Sequence, residues 1–402
     1  GSKTGGMNVY VREIAQEFGR RGIAVDIFTR RSADAAAAVD TSLGDTVRVI
    51  HVLAGPVQPL NPDEVYPYLN QFTAGVLAFA TAEALPYDLI YSHYWLSGLV
   101  AHELKEVWGI PFVQMFHTLG HMKNRILMRE VRSPAPDMRV YHETRIVRLA
   151  HHIIAATPAE QTQLLWLYRA DRRKIAVVPP GVNTHRFQPQ PTALAKQQLG
   201  LPLDQHLLLF VGRIEPLKGV DSILQALAMI QEAAPSLLHH VRFVIVGGDP
   251  ATFDAGELAN LRQLTTQLGL SRLVEFLGAK DQSLLPLYYS ASLAVMMPSD
   301  YESFGLVALE AMACGTPVIA SQVGGLAYLI RDGETGFLVP VREPAALADR
   351  ITTLLLDPSQ RDRMGRAAAA LAQQYSWSAI ADQLLPLFQR VLDQPRFSRH
   401  TS

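Results

Sequence analysis

The chain is short of cysteine, of net charge and of long apolar runs, and each shortage excludes a class of protein. Cys314 is the only cysteine in 402 residues, so no disulfide can close within the chain, and a reducing, cytoplasmic compartment is expected. A formal net charge of −1 gives no basic surplus for gripping a phosphate backbone, which argues against nucleic acid as a partner. No apolar run reaches the roughly 18 residues of a membrane span and no signal peptide is visible, so integral membrane association is not expected. The chain has no Asp-x-Asp to hold a divalent ion on a diphosphate, and His117 and His121 lack the glutamate of an H-E-x-x-H motif. No metal site is therefore expected. The absence of a G-x-G-x-x-G after a strand speaks against a nicotinamide dehydrogenase. One further absence is local: from Val49 to Leu104 there is no lysine or arginine.

What remains is a chain long enough for two cores, with 49% apolar residues and 25 prolines. Apolar runs ending in Gly, Pro, Ser or His alternate with amphipathic segments about every 25–30 residues, which predicts parallel βα units and an α/β fold. In the first half the strands are Ala24–Arg30, Val47–Leu53, Leu89–His93, Phe112–Phe116, His152–Ala156 and Ile175–Val178. The pattern resets around Phe187–Gly200, where Q-P-Q-P-T reads as a linker, and a second series begins at Leu207–Val211. The expected domains are 1–186, 187–376 and a final helix, 377–402, returning to the first domain. The opening G-S-K-T-G-G-M-N enters a helix with no strand before it, so the first strand of a doubly wound domain is expected to be missing. Ligands in such sheets sit beyond the carboxyl ends of the strands, where Gly98, His93, His117 and Thr118 are expected. Trp95, Trp377 and Cys314 read as core, and His151 and His152 as a helix-to-strand junction.

The rest is organised around Asp300–Pro317, D-Y-E-S-F-G-L-V-A-L-E-A-M-A-C-G-T-P. Alone, Glu302 and Glu310 would be a solvent-facing glutamate and an ordinary helical one. Ser303 is expected to cap the helix, with Phe304 and Gly305 leaving its first amides open. At the usual rise the two carboxylates stand roughly 12 Å apart along such a helix, too far to flank one glycosidic bond, where ~5–9.5 Å is needed. That spacing suits a ligand polar at both ends and anionic in the middle, held across a helix N-terminus: a nucleoside diphosphate sugar. Gly212-Arg213 and Lys218-Gly219 follow a strand directly, and the two cations can converge on one diphosphate.

Taken together, G-R-x(4)-K-G and E-S-F-G-x(4)-E-A-M-A-C-G-T-P-V-I-A resemble the family 4 retaining glycosyltransferases of GT-B fold. The likeness extends to G-G-M-N-V-Y and P-P-G-V-N and covers nearly the whole chain. It implies two facing Rossmann-like domains with a cleft between them, the donor bound mainly by the second and the acceptor by the first. It also implies that Arg213 and Lys218 hold the diphosphate, Glu302 the sugar hydroxyls and Glu310 the ribose. Backbone at Gly212, Ser303, Phe304, Gly305 and Leu306 would complete the donor site, with Gly5 and Gly6 approaching from the first domain. His117 would touch the donor hexose near its 6-hydroxyl. No cofactor is implied beyond the nucleotide sugar, expected to be UDP-linked.

The run H-T-L-x-x-x-K-N and an arginine before a helical glutamate are similar to two phosphate-accepting subgroups, the mycothiol-pathway inositol-phosphate glycosyltransferase and sucrose-phosphate synthase. The matching residues are Tyr94, Thr118, Lys123, Asn124 and Arg139, and the acceptor implied is a small sugar or cyclitol phosphate. One departure stands out. Those subgroups carry a further lysine in the segment matching Leu60–Tyr68, where this chain has N-P-D-E-V-Y. A non-phosphorylated sugar or lipid acceptor therefore stays open; a GT-B UDP-sugar epimerase is the rival enzyme class, and a homodimer is also open.

Overall fold

The computed structural model describes residues 5–33, 37–122, 137–248 and 255–394. The described residues form two compact units: Pro180–Ser376 makes one, and residues 5–179 join residues 377–394 in the other. The border falls at a Pro-Pro step. The Q-P-Q-P-T stretch expected as a linker instead leads into a helix, Thr192–Gln198, which packs on the helix Leu285–Ala291 of the carboxy-terminal unit.

The amino-terminal unit opens on the helix Gly6–Arg20. Its strands β1 (Val25–Arg30), β2 (Val39–Asp40) and β3 (Val47–Val52) form one sheet in the order β1-β3-β2, with only β2 antiparallel. The two-residue β2 was not expected; it is too short to carry an alternating pattern. Strands β4 (Ile90–His93), β5 (Phe112–Met115), β6 (His152–Ala155) and β7 (Ile175–Val177) form a second, fully parallel sheet in chain order. Phe112, Phe116, Ile146, Ile153 and Trp95 make the core beneath it, and His151 and His152 mark the junction into β6. The last helix, Trp377–Leu392, closes this unit by packing on the first. Trp377 meets Tyr10 edge-on at 5.3 Å, Phe388 meets Phe18 at 5.9 Å, and Arg21 reaches Asp382 at 2.6 Å. The apolar face of this helix recurs at Trp377, Ile380, Ala381, Leu384, Phe388 and Val391, the three-to-four spacing that lets one stripe be buried.

The carboxy-terminal unit holds β8 (His206–Val211), β9 (Val241–Val246), β10 (Val274–Gly278), β11 (Ser292–Met297), β12 (Val318–Ser321) and β13 (Gly336–Val339). Their order is β10-β9-β8-β11-β12-β13 and every pairing is parallel. All six residues of β11 and all four of β12 are buried, as expected of central strands covered on both faces. The order reverses between β8 and β11, so the crevice at the carboxyl ends of those two strands is the switch point of the sheet.

Candidate active site

Beyond β8 the chain passes through Gly212 and Arg213 into the turn Pro216–Lys218 and then the helix Val220–Ala233. Gly247, at the end of β9, has φ 137, and a β-carbon there would stand 1.8 Å from the Gly212 carbonyl oxygen. Only glycine admits so close a backbone approach. Lys218 reaches Glu302 at 2.7 Å, with 21% and 18% of the two side chains exposed. Arg213 lies largely exposed and pairs with Glu215 at 2.5 Å. The two cations expected to converge therefore turn to different carboxylates, because each has an acidic neighbour within reach.

Glu302 stands in the segment leaving β11, and here the structure corrects the expected cap. The helix begins only at Leu306, with Gly305 as N-cap at φ 99 and no side-chain cap bond. The chain turns through the left-handed conformation of Gly305, which leaves Ser303 two residues upstream of the cap. Glu302 is accordingly outside the helix, and a rise-per-residue distance to Glu310 does not apply. The amides at the start of this helix have no intrahelical acceptor. The backbone here is held from beneath: Gly325 donates its N–H to the Glu302 carbonyl at 3.0 Å, and a β-carbon on Gly325 would come 2.1 Å from Phe304 Cα. Phe304 is buried near Tyr375, ring centroids 6.2 Å apart.

Glu310 lies on the same helix and accepts from the Tyr289 hydroxyl at 2.8 Å. Tyr289 is fully buried, and burial first, then the Glu310 charge, hold its hydroxyl protonated far above the ordinary phenol range. Sequence reasoning missed this support. Its only trace is the Y-Y-S run before β11, which reads equally as core. Cys314 is buried beside it, its thiol pushed up to about 12 by burial and by Glu310.

In the amino-terminal unit, Gly5 is the N-cap of the helix Gly6–Arg20 and offers no side chain to its first amides. The helix's Tyr10 hydroxyl meets that of Tyr91 at 2.7 Å. At the carboxyl edge, Tyr94 (φ 75) after β4 and His117 (φ 62) after β5 both adopt the left-handed conformation, uncommon outside glycine. His93 Nδ1 and His117 Nε2 stand 3.0 Å apart, so one ring donates and the other accepts. Burial holds both below the usual histidine range, His117 at about 3.

Arg139 gathers the expected acceptor residues. Its Nε donates to Glu143 at 2.7 Å, Nη1 to the Tyr94 hydroxyl at 3.2 Å, and Nη2 to the Thr118 carbonyl at 2.6 Å and hydroxyl at 3.0 Å. The guanidinium carbon also lies 4.9 Å from the Tyr94 ring centroid. Glu143 is completely buried and accepts further from the Gly120 amide at 2.9 Å and from the Tyr168 hydroxyl. Lys123 and Asn124 lie outside the described residues.

The histidines set a pH dependence of stability. Burial lowers His93, His117 (about 3) and His151 (about 4) in the folded chain, so below about pH 6.5 the unfolded chain binds more protons and stability falls with pH. Glu160 opposes this: burial raises it to about 7, so it favours the folded state as pH falls through 7 toward 4.5. Three groups outweigh one. We expect the melting temperature to drop between pH 6.5 and 4, and His117→Asn to reduce that drop. A variant with an unchanged acid limb would contradict the assignment.

Two Rossmann-like units with polar groups gathered at the carboxyl edges of parallel sheets define the GT-B class of glycosyltransferase. Residues 4–186 match Glycosyltransferase Family 4, and residues 192–371 match Glycosyl transferases group 1. The D-inositol 3-phosphate glycosyltransferase of Thermomonospora curvata is 42% identical over 396 residues, covering 97% of this chain and 91% of its own. That of Acidothermus cellulolyticus is 43% identical over 394 residues, covering 98% and 87%. Among solved structures, sucrose-phosphate synthase from Thermosynechococcus elongatus superposes with a TM-score of 0.86 at 33% identity, over 96% of this chain and 94% of that one. Anabaena HepE, solved with UDP-glucose, shares the fold with a TM-score of 0.76 at 24% identity, over 97% of each chain. The chain belongs to glycosyltransferase family 4, and it is a glycosyltransferase. Among the described residues no helix is long and apolar enough to cross a membrane.

Proposed function

We propose that this enzyme moves a hexosyl unit from a UDP-linked sugar to a small sugar or cyclitol that carries a phosphate. The observation that carries the donor half is the Lys218–Glu302 pair beside the open N-terminus of the helix Leu306–Ala313. In this reading Lys218 and Arg213 neutralise charge growing on the leaving diphosphate, and the amides at Phe304, Gly305 and Leu306 take its oxygens. Glu302 accepts from sugar hydroxyls, and Glu310, steadied by Tyr289, accepts from the ribose. As the bond from C1 to the diphosphate oxygen breaks, the acceptor oxygen bonds to C1 on the same face and its proton leaves with the diphosphate.

Arg139, flanked by Tyr94 and Thr118, is read as the grip on the acceptor phosphate; a guanidinium fork suits a phosphate monoester. The relatives' own names, D-inositol 3-phosphate glycosyltransferase and sucrose-phosphate synthase, support a phosphorylated acceptor. His117, neutral at working pH, is suited to share a hydrogen bond with a sugar hydroxyl.

The test is nucleotide release from UDP-glucose, UDP-GlcNAc, ADP-glucose and GDP-mannose, each with no acceptor, fructose 6-phosphate or an inositol phosphate. Release from a UDP-sugar that requires one phosphorylated acceptor is the expected result. Release with plain sugars alone would overturn the phosphate grip, and sugar isomerisation without acceptor would make the enzyme an epimerase.

A further inference from the structure

Arg342 belongs to none of the motifs read from the sequence, yet it connects the segments that carry the donor site. It sits in the turn between β13 and the helix Pro344–Leu356 at φ 55, a left-handed conformation that a side chain as large as arginine rarely holds without a reason. Its guanidinium grips Asp300 with Nη2 to Oδ2 at 2.6 Å, Nε to Oδ2 at 2.9 Å and Nε to Oδ1 at 3.1 Å. Nη1 stands 3.7 Å from the carboxylate of Asp221, in the first turn of the helix Val220–Ala233. The Asp300 amide in turn donates to the Leu217 carbonyl at 2.9 Å.

Leu217 precedes Lys218 and Asp300 precedes Glu302 by two residues, so a single guanidinium holds both strands of chain from which the 2.7 Å Lys218–Glu302 pair projects. The same contact settles an electrostatic conflict. Asp300 has only 15% of its side chain exposed, and its negative charge so near Glu302 would repel a diphosphate. A planar fork against that carboxylate offsets the charge and fixes its direction; a lysine's point charge would do only the first.

We infer that Arg342 is a positioning residue of the transferase, acting through Asp300 and the 217–221 segment to set Lys218 and Glu302 for the donor. The inference rests on the reading of Lys218 and Glu302 as donor-binding groups.

Arg342→Ala, Arg342→Lys, Asp300→Asn and the double variant Asp300→Asn/Arg342→Ala are compared in kcat, donor KM and melting temperature, with Lys218→Ala alongside. Misplacement of a reacting group by about 1 Å can cost on the order of 100-fold, and for Arg342→Ala we expect kcat about 30-fold down with donor KM within about threefold. Arg342→Lys should fall between wild type and alanine. The double variant should be no slower than the worse single variant, since partners in one contact do not act additively. A kcat for Arg342→Ala within about twofold of wild type overturns the inference, as do losses that multiply in the double variant. Wild-type kcat and wild-type donor KM together in Lys218→Ala bring down the donor-site reading itself; a collapse there with normal Arg342→Ala removes only the positioning role.

Discussion

Lys218→Ala is expected to lower kcat by about 1,000-fold while changing donor KM only a few-fold, the signature of a group that acts on charge developing in the transition state. The ammonium sits at the end of the turn Pro216–Lys218, 2.7 Å from Glu302, so its removal does two things. On the proposed reading it withdraws a cation from the leaving diphosphate, and it leaves the Glu302 carboxylate without its 2.7 Å partner. The two effects separate in Lys218→Ala/Glu302→Gln. If the double variant regains part of the lost kcat, repulsion from Glu302 was a share of the damage; if it is slower still, Glu302 contributes its own contacts to the sugar. A Lys218→Ala enzyme with normal kcat and a raised KM would mean that the ammonium binds the donor equally in the ground and transition states and does not act on the developing charge.

The second large effect is on Arg139. Glu143 has no exposed surface, and Arg139→Ala takes away the cation that pairs with it at 2.7 Å. Stranding a buried charge typically costs 3–5 kcal/mol, and the remaining bonds from Gly120 and Tyr168 put the expected loss near the lower end, about 3 kcal/mol. That should appear as a drop of several degrees in the unfolding of the amino-terminal unit. Activity should disappear as well, and instability alone could produce that, so Arg139→Ala/Glu143→Gln is the informative protein. Neutralising the stranded carboxylate should restore much of the stability. If acceptor use stays absent in this refolded background, Arg139 grips the acceptor; if transfer returns with the melting temperature, its role is only to pair with Glu143.

The parallel strands and the loops at their carboxyl ends were legible in the chain because they are local. A buried parallel strand is a short apolar run, and a site at its end is whatever follows that run. What escaped was of three kinds. Left-handed residues such as Tyr94, His117 and Arg342 look ordinary in sequence, since their conformation is set by neighbours rather than by their own propensity. The helix start at Leu306 depended on Gly305 turning left-handed, which displaced the Ser303 cap expected from composition. Pairs such as Arg342 with Asp300 and Tyr289 with Glu310 are separated by 42 and 21 residues, so no periodicity brings them together.

The packing of the last helix on the first has a consequence for how the enzyme is made. Residues 180–376 are contiguous and hold everything their own sheet needs, so this unit can close as soon as it clears the ribosome. The amino-terminal unit is translated earlier yet must wait: Tyr10, Phe18 and Arg21 also pack on or pair with Trp377, Phe388 and Asp382, which emerge only after the whole of the other unit. Until they arrive, the part of the first helix that the last helix covers stays exposed. The half of the protein synthesised first is the half completed last, and a nascent chain stalled before Trp377 is the species most in need of a chaperone.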